Sequence, residues 1–159
     1  ALESATSQMA VSDWGIKLKK EEDKKEEDKK PNYDDLKRYE NRERDFIASN
    51  IPGAIYKVEL DESHPLAFGY PLYYFSLKLN DIMFEFMKSG WNVGVIKKEN
   101  QVAGFVGSSL KSKLKDGMIF GAQPLGGGQI IYLADNILFR NFWENGKLLF
   151  CNALFMTGN

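Results

Sequence analysis

The sequence has one histidine and one cysteine among its 159 residues, and these two scarcities exclude whole classes of chemistry. A thiolate zinc site needs two or more cysteines at short spacing, and a disulfide needs a pair; Cys151 alone provides neither. With His64 as the only histidine, a zinc centre would have to take its other ligands from carboxylates or water, and no HExxH or HxxE spacing occurs. No metal site is expected, and no cofactor in this chain. An excess of one charge is also missing. Lys and Arg total 21 against 22 Asp and Glu, a net charge of −1, so there is no general field to hold a polyanion or an anionic membrane, and nucleic acid is disfavoured as a partner. Long apolar runs are absent too. Stretches such as residues 70–75 fall far short of the roughly 20 residues that a bilayer span requires. Ala1 opens no recognisable signal sequence. The expectation is a soluble chain without a membrane span, and a piece of a longer polypeptide.

What is present suits one packed domain. Hydrophobic residues make up 43%, with 11 Phe, 7 Tyr and 3 Trp, enough for a core without disulfide or metal staples. The charge is unevenly placed. Residues 17–30 read KLKKEEDKKEEDKK, with nothing aromatic or β-branched to bury, although Glu21 with Lys25 and Glu26 with Lys30 are favourable i,i+4 pairs for transient helix. The organisation that follows is a remnant strand end and short helix over 1–16, a charged disordered linker or insertion over 17–33, and an α/β body over 34–159. A docking tail for a charged partner is the other reading of the charged run.

Within the body, residues 34–49 carry Leu36, Tyr39, Phe46 and Ile47 among Arg and Glu, the pattern of a polar surface helix with a narrow apolar edge. Residues 4–14, with Met9, Val11 and Trp14 as anchors, predict a shorter helix before it. Residues 54–60 alternate Tyr56, Val58 and Leu60 against Lys57 and Glu59, a strand with one buried face. Residues 73–79 predict a second, with Tyr73, Phe75, Leu77 and Leu79 inward. Residues 82–87 fit either an extended piece or a helical turn. Short strands are expected at 91–96 and 102–106, and a brief helix at 108–114 stopped by Asp116-Gly117. Stronger strands at 118–123 and 129–134, joined by PLGGG, are expected at the centre of the sheet, and a mostly apolar helix over 144–156 is expected to pack on it. Strands interleaved with helices predict a layered α/β fold with a mixed sheet.

Four features invite a functional reading. Gly126-Gly127-Gly128 resembles a phosphate loop in composition, but phosphate cradles lead into a helix N-terminus, whereas this one leads into a strand; a hairpin turn is the expectation. His64, in SHPLAFGYP, is expected to orient backbone by hydrogen bonding and stands as a binding candidate. Cys151 lies on the apolar stripe of the last helix, with no cation in sequence to activate it, and is expected to be packed and inert. Arg140 and Trp143, in FRNFWENG, are of the types enriched at interface hot spots and are the other binding candidates, with anchoring of the helix start as their structural role.

IPGAIYKVELDESHPLAFGYP (51–71) and GGGQIIYLADNILFRNFWENGKLLFCNALF (126–155) resemble the C-terminal region of a group of large bacterial zinc carboxypeptidases. The resemblance covers most of 39–155. That region in turn resembles class I glutamine amidotransferase domains, which implies a flavodoxin-like α/β fold, here incomplete. On this resemblance LESATSQMA marks the end of a strand and the helix after it, where an amidotransferase carries its nucleophilic cysteine. This chain has Ser4 and Ser7 nearby instead, and no late His and acidic partner, so no catalytic residue is carried over. The zinc ligands of the peptidase belong to an upstream domain of the same polypeptide. The resemblance thus implies a non-catalytic accessory domain, secreted or in the cell envelope, that docks on the peptidase domain or engages a peptide or cell-surface ligand. Two alternatives stand: a small Ser/Cys hydrolase or amidotransferase-like enzyme using Ser4, Ser7 or Cys151 with His64, and an interaction module independent of any peptidase.

Overall fold

The computed structural model describes residues 15–19, 36–98 and 100–157. Six strands and two helices make up its regular structure, apart from three single turns of 3-10 helix. Strand β1 spans Gly53–Leu60, β2 Tyr73–Lys78, β3 Trp91–Ile96, β4 Gln101–Phe105, β5 Gly117–Leu125 and β6 Gly128–Leu133; α1 spans Arg42–Ala48 and α2 Glu144–Phe155. The strand order is β2-β1-β3-β5-β6, with β4 also paired to β1.

Every strand pairing is antiparallel. The general α/β expectation holds, but the mixed, flavodoxin-like sheet does not. Parallel neighbours need a crossover, usually a helix, between successive strands. Among the described residues no α-helix lies between β1 and β6, whose connections are loops, turns and one single-turn 3-10 helix. The strands therefore fold back on one another, and the sheet curls around its own core. The strongly apolar β5–β6 hairpin lies at one end of the order rather than at the centre. It is buried nonetheless, because the curl encloses β5 on both faces: Gly117 through Ala122 are all buried.

Strand β1 follows its sequence pattern. Ala54, Tyr56, Val58 and Leu60 are buried and the intervening residues face outward. Strand β2 keeps the period of two but has the opposite phase. Tyr74, Ser76 and Lys78 point inward, while Tyr73 and Phe75 are exposed. Two interactions explain the inversion. Tyr74 packs edge-on against Phe120, with ring centroids 5.1 Å apart, and Lys78 is paired inside the protein, as described below. On the outer face Tyr73 and Phe75 pack edge-on with ring centroids 5.4 Å apart, and Lys57 lies 4.9 Å over the Tyr73 ring.

The remaining elements are looser than their sequences suggest. Residues 82–87 are extended without joining a full ladder: Phe84 bridges Leu18 on one side and Met118 on the other. The start of the charged run is thereby tied to the body, with Ile16 buried beside it; residues 20–33, like the expected helix at 4–14, fall outside the described residues. Residues 108–114 form successive turns and no helix. Helix α1 is only seven residues long and follows a 3-10 turn at Tyr39–Asn41; its apolar edge, Phe46 and Ile47, stays exposed. The glycine run makes the expected tight hairpin, with Leu125 opposite Gly128 and Gly126 at φ 58°, a conformation glycine adopts at no steric cost.

Helix α2 buries only Gly146, Leu149 and Asn152. This narrow stripe rests mainly on the Pro65–Ala67 turn and the segment around Ile137, so the helix does not lie broadly on the sheet. A Cβ at Gly146 would lie 1.7 Å from the Ile137 carbonyl oxygen, a separation only glycine permits. Asn152 donates to the carbonyls of Leu66 (3.0 Å) and Phe68 (2.7 Å). Tyr70 donates to the Asn145 carbonyl and accepts from the Leu149 amide. Burial pushes the Tyr70 phenol up to about 12, against the opposing pull of the Leu149 N–H. Cys151 falls between the buried positions and is exposed. The expectation of a packed thiol is thus corrected: the apolar run is wider than the stripe that the helix buries.

Candidate functional site

The most polar feature of the interior is a cluster that the sequence pattern did not reveal. Lys78 and Asp135 have side chains 0% and 2% exposed, with Nζ 2.7 Å from Oδ1. Ser76 donates to the other carboxylate oxygen at 2.5 Å, and the Lys78 ammonium also donates to the Ile82 carbonyl at 2.7 Å. A serine and a lysine two residues apart on one strand suggest a nucleophile and its base. Here, however, Asp135 engages both of them, and all three are enclosed by the core. No substrate atom can approach the Ser76 hydroxyl, so the cluster fixes the fold. The one hint in the sequence was the position of Asp135, directly after the apolar strand IIYLA.

His64 occupies a different kind of place. It precedes the 3-10 turn Pro65–Ala67, and its Nδ1 accepts the Leu66 amide at 3.1 Å. That bond is the backbone-orienting role expected from SHPLAFGYP. It also fixes the tautomer, because an acceptor Nδ1 puts the proton of neutral imidazole on Nε2. Burial lowers the His64 pKa, opposed by the nearby Asp61 carboxylate, which favours the neutral ring. In this state neither nitrogen has a lone pair free for a substrate proton. The ring can still donate a hydrogen bond from Nε2.

The surroundings suit that donor. Trp91 lies 5.6 Å from His64, centroid to centroid, and is 47% exposed. Both line a cleft of about 290 Å³ with Asp61, Ser63, Gln129 and Met156. Asp61 shapes its rim by accepting the amide (3.1 Å) and hydroxyl (2.6 Å) of Ser63. The cleft therefore offers an aromatic face, a ring N–H donor, a carboxylate and an amide. Such a set suits a neutral polar ligand with an apolar side. Trp91 received no functional reading from the sequence, where it is simply the first residue of a strand.

Arg140 and Trp143 do not join His64 in this cleft. Arg140 is exposed, its guanidinium 5.1 Å over the Phe139 ring, and it and Asn141 adopt φ 50° and 56°. Trp143 is half-buried and packs on the core. Among the described residues its enclosed indole nitrogen has no partner of hydrogen-bond geometry. The Tyr74 hydroxyl is its polar neighbour: burial pushes that phenol up, and the indole N–H offsets part of the rise. Cys151 is not among the residues that line the His64 cleft.

Among the described residues no group of three or more His, Cys, Asp or Glu side chains could hold a metal ion, and no helix is long and apolar enough to cross a membrane. Comparison with family models, with curated proteins and with solved structures gave no match.

Proposed function

We propose that this chain is a non-catalytic accessory module that binds a neutral polar ligand, a peptide or cell-surface saccharide, in the His64–Trp91 cleft. The observation that carries this reading is the use of His64 Nδ1 by the Leu66 amide. It makes the single histidine of the sequence a donor toward the cleft and denies it the part of general base. The small-hydrolase alternative loses support on the same ground, since both Cys151 and the serines would depend on that base. The parent protein in this proposal is a secreted or cell-envelope bacterial zinc carboxypeptidase, whose upstream domain holds the zinc and is the intramolecular partner. That part rests on the sequence resemblance across 51–71 and 126–155. A relationship to amidotransferase domains would be one of sequence, since the antiparallel sheet is not flavodoxin-like.

Titration of the chain with tripeptides bearing free C-termini and with soluble cell-wall oligosaccharides, followed by tryptophan fluorescence, tests the proposal. Saturable binding is expected for one of the two probe classes, abolished in Trp91→Ala and weakened in His64→Ala. Imidazole nitrogen NMR should report the Nε2–H tautomer. Release of C-terminal residues from the peptides, or an Nδ1–H tautomer, would overturn the reading.

A further inference from the structure

A second cleft, separate from the one at His64, lies where the inner face of β1 meets β4 and the turns of residues 107–115. It has a volume of about 560 Å³ and is lined by Tyr56, Gln101, Ser108, Lys111, Ser112, Leu114 and Lys115. Its construction begins with an irregularity. The β1–β4 ladder shifts register between Ile55 and Tyr56, leaving Val102 as an extra residue and placing Gln101 opposite Tyr56. Bulges of this kind bend a strand and redirect its side chains. The turns that follow β4 then fold across the strand ends. They are pinned by Leu110 and Leu114, both buried, and by Lys19, which donates to the carbonyls of Lys115 and Asp116.

Tyr56 forms the floor of the cleft: the residue is only 4% exposed, yet it lines the opening. Burial raises its pKa, which keeps the phenol protonated as a donor. Among the described residues that line the cleft, the charged ones have one sign. Lys113 is engaged by Asp81, but the lysines on either side, Lys111 and Lys115, line the cleft together with the hydroxyls of Ser108 and Ser112.

We propose that this cleft binds a small organic ligand through a dianionic phosphate ester. Lys111 and Lys115 neutralise the two charges, the hydroxyls of Tyr56, Ser108 and Ser112 donate to the oxygens, and Leu114 faces the organic part. Two ammonium groups match two charges, and several neutral donors match the equatorial oxygens of a phosphate better than the two oxygens of a carboxylate. The volume exceeds what a bare oxyanion fills.

Isothermal titration of the whole chain at low salt with phenyl phosphate, inorganic phosphate and benzoate tests this assignment. Phenyl phosphate is expected to bind at one site, with benzoate at least tenfold weaker and inorganic phosphate intermediate. Tyr56→Phe removes one oxygen from the wall and should weaken phenyl phosphate about tenfold, the effect of losing a hydrogen bond to a charged group. Lys111→Ala with Lys115→Ala should abolish binding, and Lys147→Ala, on the distant helix α2, should leave it unchanged. Thermal midpoints of all variants establish that each is folded. Absence of heat at millimolar phenyl phosphate, equal affinity in Tyr56→Phe, or benzoate binding as tightly as phenyl phosphate would each overturn the proposal.

Discussion

Replacing Lys78 by Met tests the account of the core most directly. The substitution keeps the length of the side chain and removes its charge, leaving the Asp135 carboxylate with the Ser76 hydroxyl as its remaining partner and the Ile82 carbonyl without its donor. Because both members of the pair are essentially unexposed and 2.7 Å apart, solvent cannot screen the charge left behind. Removing one member of such a pair costs about 3–5 kcal/mol. Against a total stability of about 5–15 kcal/mol for a domain of this kind, the variant should be severely weakened. Urea unfolding followed by tryptophan fluorescence gives the number. The informative comparison is Lys78→Met with Asp135→Leu in one chain. There the main remaining cost is the unpaired Ser76 hydroxyl, about 1–3 kcal/mol. The double variant should therefore be destabilised by less than the sum of the two single ones, with a coupling of at least about 2 kcal/mol. A cost below about 1 kcal/mol for Lys78→Met, the range of exposed ion pairs, or strict additivity in the cycle, would refute the claim that the pair is sealed.

Other consequences are as direct. Asn152→Ala removes both bonds to the Leu66 and Phe68 carbonyls and should cost about 1–3 kcal/mol in urea unfolding; a neutral result would show that α2 is held by its apolar contacts alone. Gly146→Ala should be worse tolerated than its helix propensity suggests, since the methyl group meets the Ile137 carbonyl, and an unchanged or raised melting temperature would contradict that packing. Cys151 should react with a thiol reagent in the native protein at the rate of an open thiol; labelling only after unfolding would show it buried. Burial tends to raise the Asp81 carboxyl, but the hydrogen bond and charge of Lys113 outweigh it and hold it below the usual value. Its contribution is therefore present above the unfolded carboxylate pKa of about 3.9 and lost as pH falls through the folded value. The lowered pKa of His64 acts with the same sign below the unfolded value of about 6.5, since the unfolded chain binds the proton more readily. His64→Ala should flatten that part of the stability profile, and a profile identical to that of the parent chain would remove His64 as its cause.

Local chemistry made much of the fold legible. The alternation around Tyr56, Val58 and Leu60 defined β1 and its buried face, the glycine run defined the hairpin, and SHPLAFGYP contained the backbone bond that His64 makes. For β2 the same kind of pattern was insufficient. A period of two is satisfied by either face, and the aromatic set at Tyr73 and Phe75 looked like the inner one. The phase was set by Asp135, 57 residues from Lys78 along the chain, and by the Phe120 ring against Tyr74. Neither relationship leaves a trace in a local window. The width of the buried stripe on α2 was likewise beyond the helix's own sequence, because an apolar run does not say how much of it a neighbour covers.

The two clefts divide in the same way. His64 could be singled out because the sequence has no other histidine, but its tautomer follows from the Leu66 amide, and its neighbour Trp91 comes from a strand on the far side of a long connection. Tyr56 was legible only as a core residue of β1. By itself the sequence determined which segments alternate and which turn, because these depend on residue types and short spacings. Only the tertiary structure decided that the sheet is antiparallel, that a lysine lies inside it, and which side chains meet in a cleft, because those outcomes depend on contacts between distant parts of the chain.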